Sequence, residues 1–341
     1  MLIATIVATL LTTQTPTKSA GLTFDEPKVL LGVRPIAMAP APAGSRVLLS
    51  LEDGSVRLFD AATQKTLRQF PKHPQAAYGA TWSPDGKQVA TGDESARIFI
   101  SDAATGKKIR DYRTHTRGIQ KLSFNLNGTR LLSTGKDDAV NIYDLTSPKP
   151  KPLRFLLGKG ANLYSAVWNP KSTGIFAVAT LTPVCRIVNA ANMSTISRLV
   201  GHQGTGGAGA LDLAYNPEGT LIASGGKDGA VRFFEAKSGA PVGKVRVEDS
   251  YTGTNSLAFS PNGNLLAAAF TDSTVRIWNT KSLALVKKID KASNFDSPVA
   301  FTADGKWLLS RNDQGFLEVR AISPAQAGAV AKGKKVRRSR R

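Results

Sequence analysis

The residues able to carry chemistry in this 341-residue chain are few, and their spacing limits what they could do. Cys185 is the only cysteine, which excludes an internal disulfide and a cysteine-based zinc site. It lies in the run Cys185-Arg-Ile-Val-Asn189, where a small hydrophobe packing a core is a plainer reading than a nucleophile or redox sensor. Three histidines (His73, His115 and His202) are too few for most transition-metal sites. Gly204-Thr-Gly206-Gly-Ala-Gly209 has the spacing of a dinucleotide-binding loop. That loop must follow a strand and open a helix, and here the next segment, Ala210–Tyr215, reads as a strand, so the match is taken as coincidental. The acids Asp53, Asp137, Asp228, Asp272 and Asp313 recur beside turns in a basic chain and read as turn formers rather than a metal cage. Spacings for a GxSxG elbow, an HExxH site, a Walker A loop or an EF-hand are absent. Asn127-Gly-Thr129 and Asn192-Met-Ser194 fit the glycosylation pattern, which carries meaning only on a eukaryotic secretory route. No catalytic residue, cofactor or metal is assigned.

The elements that hold these residues follow from composition and periodicity. Hydrophobic residues are 41% and charged residues 21%, enough to bury a core and too few apolar runs for a polytopic membrane protein. The length suggests two domains, although all-β units often run longer as one. Lys and Arg outnumber Asp and Glu by 45 to 25, a formal charge of +20. Residues 324–341 carry seven of those cations (Lys332, Lys334, Lys335, Arg337, Arg338, Arg340, Arg341) and no acid, and read as a disordered basic tail. Without them the body still holds +13. At the other end, residues 1–20 contain the apolar run Leu2–Leu11 and then small residues, which reads as an export signal. It departs from the usual form in having no Lys or Arg ahead of the run, and a cut after Ala20 would put Lys18 at the third position before it. The run is too short to span a bilayer.

Internal repeats settle the architecture. An aromatic residue, then Pro two positions on, then a turn appears as Trp82-Ser-Pro84-Asp-Gly86, Trp168-Asn-Pro170, Tyr215-Asn-Pro217-Glu-Gly219 and Phe259-Ser-Pro261-Asn-Gly263. Phe124-Asn-Leu126-Asn-Gly128 and Phe301-Thr-Ala303-Asp-Gly305 are weaker copies, and Met38-Ala-Pro40 begins the series. Successive copies stand 42 to 47 residues apart, giving seven units. A second mark ends a strand in each: Val56–Asp60, Ile98–Asp102, Val140–Asp144, Cys185–Asn189, Val231–Glu235, Val275–Asn279 and the decayed Leu317–Ala321. Four short strands per unit, with Gly and Pro at the turns and no helical period, describe one propeller blade.

Over residues 28–322 the chain resembles the WD40 repeat family, through the repeated Ser/Asn-Pro-Asp/Asn-Gly turn, the Asp-Gly turn before the third strand and the Val-Arg-Ile-Trp-Asn type of strand end. The resemblance implies an all-β, seven-bladed β-propeller of four-stranded antiparallel blades. Outer strands are expected at Lys65–Phe70, Lys107–Tyr112, Lys151–Leu156, Thr195–Val200, Pro241–Val245 and Leu283–Ile289. The seventh unit lacks one, so Lys28–Val33 is expected to close the ring as an N-terminal strand. The family often links a His, a Ser or Thr, an Asp and a Trp within one blade. Here His115, Ser133, Asp137 and Tyr143 fill those slots in unit three, and His202, Ser224, Asp228 and Phe234 in unit five. Unit six has Asp272 and Trp278 but no His, with Ala268 in the hydroxyl slot. The chain resembles a divergent member, weakest in units four and seven, and with its export signal it resembles the stand-alone WD40 proteins of bacteria.

The resemblance implies a non-catalytic scaffold that binds protein partners, as a monomer. Contacts are expected on the face that carries the second-to-third strand turns and the loops between blades: Glu52, Asp53, Tyr78, His115, Arg117, Lys136, His202, Lys227, Tyr251, Asp272, Asn294 and Arg311. A basic surface favours an acidic partner. The basic tail offers a second reading, contact with a nucleic acid, an anionic lipid surface or another anionic polymer, which export would turn away from nucleic acid. A third, a propeller-type hydrolase with a channel metal, lacks a concentrated set of oxygen ligands.

Overall fold

A computed structural model describes residues 21–30, 32–148, 151–156, 163–180, 182, 184–202, 209–247, 252–293 and 297–324. The export-signal stretch, most of the Gly-rich run, Tyr251, Asn294 and the basic tail lie outside the described residues. The rest is a seven-bladed propeller. Blade 1 has strands Pro35–Pro40, Arg46–Leu51, Val56–Asp60 and Lys65–Phe70. Blade 2 has Gly79–Trp82, Gln88–Gly92, Ile98–Asp102 and Lys108–Tyr112; blade 3 has Ile119–Phe124, Arg130–Gly135, Ala139–Asp144 and Leu153–Leu156. Blade 4 has Leu163–Trp168, Ile175–Thr180, Val184–Asn189 and Thr195–Val200; blade 5 has Ala210–Tyr215, Leu221–Gly226, Ala230–Glu235 and Pro241–Arg246. Blade 6 has Thr254–Phe259, Leu265–Phe270, Thr274–Asn279 and Leu285–Ile289. All pairings within blades are antiparallel.

Blade 7 is assembled from both ends of the described chain. Ala300–Phe301, Trp307–Arg311 and Leu317–Pro324 are its first three strands. Lys28–Leu30 pairs with Leu317–Val319, as the sequence predicts, and a second segment, Leu22–Phe24, pairs with Ile322–Pro324. Paired structure therefore runs from Leu22 to Pro324, wider than the span read from the repeats.

The reason for a ring is visible in the middle strands. Residues Leu265–Phe270 are buried on both sides, as are most of Arg130–Gly135. A strand apolar on both faces needs cover on both faces, and each blade supplies it to its neighbours. Cys185, Ile187 and Leu199 of blade 4 pack with Leu213, Ile222 and Phe234 of blade 5. Leu309, Leu317 and Val319 of blade 7 pack with Val47, Leu49 and Phe59 of blade 1, which joins the ends of the series. Cys185 is thus a core residue, and burial pushes its thiol up to about 12. The recurrent first turn also has a plain cause. Ser83 Oγ reaches Asp85 Oδ1 at 2.6 Å and accepts the Gln88 N–H at 2.9 Å, while Gly86 takes the left-handed φ of 69° that closes the loop. No helix of the described residues is long and apolar enough to cross a membrane.

Candidate functional site

The second-to-third strand turns and the inter-blade loops share one face, held there by backbone hydrogen bonds. Glu94 N–H donates to Ala76 O (3.0 Å), Lys136 N–H to Gly118 O (2.8 Å), Thr271 N–H to Gly253 O (2.9 Å) and Asp313 N–H to Lys291 O (2.8 Å). These bonds turn loops into a fixed surface.

Beneath that face lie buried polar links. In blade 3, His115 Nδ1 is 2.8 Å from Asp137 Oδ1 and Nε2 is 2.7 Å from Ser133 Oγ. A carboxylate facing Nδ1 fixes the proton there, so Nε2 accepts from the serine hydroxyl. Tyr143 fills the tryptophan slot, wholly buried, with its hydroxyl against Thr114 Oγ1. Burial of Asp137 would raise its pKa; His115, the Thr116 N–H and Arg154 overcome this and hold the carboxyl well below the ordinary range. In blade 5, His202 Nδ1 is 3.0 Å from Asp228 Oδ1 and Nε2 is 2.8 Å from Ser224 Oγ, with Arg232 Nη1 2.8 Å from Asp228 Oδ2.

The structure adds a link that the repeat pattern does not reveal. His73 Nε2 lies 2.7 Å from Thr91 Oγ1, and Nδ1 lies 3.4 Å from Asp93 Oδ2, all three residues buried. Asp93 comes from the end of the second strand, two places before the turn position that the repeat reserves for the acid, where blade 2 has Ser95. Burial of Asp93 acts to raise its pKa, and bonds from His73, the Arg97 N–H and Ser95 outweigh it and lower the value.

The predicted contact residues divide by depth. His115 and His202 are only 4% and 2% exposed, beneath the face rather than on it. Arg311 is also buried, with Nη2 2.6 Å from Glu52 Oε1, a tie between blades 7 and 1. Lys136 Nζ binds Glu94 at 2.7 and 2.9 Å and sits 5.0 Å from the Tyr78 ring centre, which groups three side chains from blades 2 and 3. Arg117 and Lys227 are exposed. Asp53 accepts from Ser55 N–H and Oγ at 2.9 and 2.7 Å, and Asp272 from Thr274 at 3.1 and 2.6 Å, each within its own turn.

The first strands line an axial channel with a cavity of about 600 Å³, bordered by Tyr78, Gln120, Lys121, Tyr164, Asp212 and Asn255 among others. Across it, Lys121 Nζ of blade 3 lies 3.0 Å from Asp212 Oδ1 of blade 5. Asp212 also accepts the N–H of Leu213 (2.9 Å) and, through Oδ2, that of Leu257 in blade 6 (3.0 Å). One carboxylate therefore ties three blades. Nothing in the repeat pattern marks this pair, because it exists only once the ring closes. Among the described residues, no three His, Cys, Asp or Glu side chains gather as a metal site would require. Asp53 and Asp272 of this face are held in their turns, and Glu52 and Glu94 in ion pairs.

The fold and these links define a seven-bladed propeller in which blades 2, 3, 5 and 6 are tied internally by His–Asp or Arg–Asp contacts. Residues 64–101, 106–144, 193–235 and 245–279 match the WD40 family profile, described as "WD domain, G-beta repeat". Each match joins the outer strand of one blade to the first three strands of the next, covering blades 2, 3, 5 and 6. Four of the seven blades are therefore WD40 repeats, and the chain is a seven-bladed β-propeller. Two solved structures show the same fold. The structure of U3-55K superimposes with a TM-score of 0.74 at 18% identity, over 89% of this chain and 99% of that one. The Cps50 (Swd1) β-propeller domain of Myceliophteria thermophila gives 0.75 at 14% identity, over 87% and 100%. No curated protein matches the chain by sequence.

Proposed function

We propose that this propeller is a non-catalytic scaffold that binds a protein partner on the face formed by the second-to-third strand turns and inter-blade loops. The observation that carries this reading is the pairing of a rigid backbone frame with exposed cations. Inter-blade N–H to carbonyl bonds hold the loops, while Arg117 and Lys227 stand clear of the buried links below them. The Tyr78–Lys136–Glu94 group adds an aromatic platform with charge of both signs beside the channel mouth. A surface of this kind favours a partner with exposed carboxylates. Photo-crosslinking groups placed at Arg117 and Lys227 should capture a partner from the native source. The same groups at Asn127 and Asn192, on the opposite face, should not. Equal capture from both faces would reject the assignment.

We further read the protein as exported, in the manner of stand-alone bacterial WD40 proteins. A cut after Ala20 would spare both closing segments, the first of which begins at Leu22. Intact mass of the native protein tests this, a start near Gly21 being expected and a start at Met1 or Leu2 rejecting it.

A further inference from the structure

The rim of the disc differs from the rest of the molecule in two ways. Eleven of the twelve exposed large apolar side chains lie on outer or closing strands, Leu126 being the exception. Those strands also hold eleven Lys or Arg and a single acid, Asp111, against 45 to 25 in the whole chain. Edge strands are commonly guarded by charge, lysine above all. Such a guard does not account for the exposed aliphatics beside the cations, and that mixture points outward to a ligand.

Among the described residues, blade 6 is where the rim is open. In most blades the third-to-fourth turn of the next blade leans on the middle of the outer strand. Arg68 donates to Ala103 O at 2.8 Å, and Arg110 to Leu145 O and Ser147 O at 2.9 Å each. Ser197 bonds Ser238 O, and Leu283 presses on Gly243 so closely that an added Cβ would lie 2.5 Å from its Cδ1. By strand register the same place in blade 6 is Lys287, opposite Ile277. Blade 7 has no such turn, because its outer strand comes from the N-terminal side. Leu285, Val286, Lys287 and Lys288 are accordingly exposed in succession. Blade 3 also leaves Leu153 half exposed, but there Arg154 is turned back onto Asp137 and Thr114 O.

We propose that the free edge of Leu285–Ile289 receives an extended, acidic segment of a partner protein as an added fifth strand. An edge strand carries backbone N–H and C=O groups directed away from its own sheet, and strand addition uses them for affinity while side chains set specificity. Each face of this strand offers an aliphatic residue and a lysine. Residues 281–291 contain four lysines and one acid, Asp290. Lys288 reaches that acid at 2.7 Å, but both side chains are open to water, so a partner's carboxylate can replace it. The chain's own tail carries the wrong sign, with seven cations and no acid. The site lies on the rim, so it stands or falls separately from the face proposed above.

The test uses the full chain and a labelled peptide of about ten residues with a Glu-Glu-Val-Val core, beside the same peptide N-methylated at alternate positions, a change that keeps charge and removes strand pairing. Anisotropy should show binding of the first and a loss of at least about tenfold for the second. Lys287→Glu with Lys288→Glu should cost about tenfold, and Lys244→Glu with Arg246→Glu in blade 5 less than about twofold. In the unaltered protein, hydrogen exchange should slow at Leu285–Ile289 when the peptide binds. The proposal is overturned if the peptide does not bind, if the N-methylated form binds equally, or if the blade 5 changes cost as much. Single-stranded DNA or phosphatidylglycerol vesicles whose binding is lost with the same blade 6 lysines would also overturn it, in favour of a general polyanion surface.

Discussion

Blades 3 and 6 occupy equivalent places in the repeat and stabilise the same region by different means. In blade 3 the second strand ends in Gly135, opposite Ile119; in blade 6 it ends in Phe270, opposite Thr254. A Cβ on Gly135 would lie 2.4 Å from His115 Nδ1, so the glycine leaves room for the imidazole. Blade 5 repeats this with Gly226 and His202, at 2.2 Å. Blade 6 has no histidine, and Phe270 fills the space, edge-on to Trp278 with ring centres 5.8 Å apart and under the Arg276 guanidinium. The turn acid is kept in all three blades and always meets an arginine: Arg154 for Asp137, Arg232 for Asp228 and Arg276 for Asp272, at 2.8 to 2.9 Å. The histidine is therefore one of two ways to fill a blade. The acid–arginine pair is the part both share.

Four experiments would sharpen or break that equivalence. Phe270→Ala should lose about 3–5 kcal/mol, the cost of an aromatic cavity in a packed core. His115→Ala should lose less, about 1–3 kcal/mol, because it strips one hydrogen-bond partner from a buried carboxylate that keeps Arg154 and the Thr116 N–H. Both are read by urea unfolding. If the two fillings are interchangeable, adding Gly135→Phe and Ser133→Ala to His115→Ala should restore part of the loss, and a triple variant less stable than the single one would refute the exchange. Asp137→Asn tests the shared part. The folded carboxyl titrates below its ordinary value of 3.8, so its contribution is complete above that value and fades as pH falls through the lower folded one. The stability gap between wild type and variant should narrow as pH falls from roughly 5 towards roughly 2, and a gap that widens in acid would contradict the assignment. Cys185→Ala should be the mildest change, about 1 kcal/mol, with the native thiol unreactive to iodoacetamide at neutral pH.

Much of the ring was legible in the sequence because its determinants are local. The Ser83–Asp85 turn repeats in residue types, the strand ends repeat in pattern, and the Thr195–Val200 outer strand was placed to the residue. The blade 3 and blade 5 links were legible through the family resemblance, whose His, hydroxyl and acid slots these residues fill. The blade 2 link was not, since Asp93 enters from a strand end and breaks the expected spacing to His73. Lys121 and Asp212 are 91 residues apart and meet only across the closed channel, so no local signal relates them. Burial of His115, His202 and Arg311 could not be judged from their loop positions, because depth under a surface is set by the neighbouring blade.

The closing strand has a kinetic consequence. Thr23 bonds Ser323 across 300 residues, and the segments near it are made long before their partners. Bringing such distant stretches together costs about 3 kcal/mol more chain entropy than closing a hairpin of roughly ten residues. The other six blades can form as each is synthesised, while Leu22–Leu30 must wait for Leu317–Pro324. The first strand to be made is the last that can take its place.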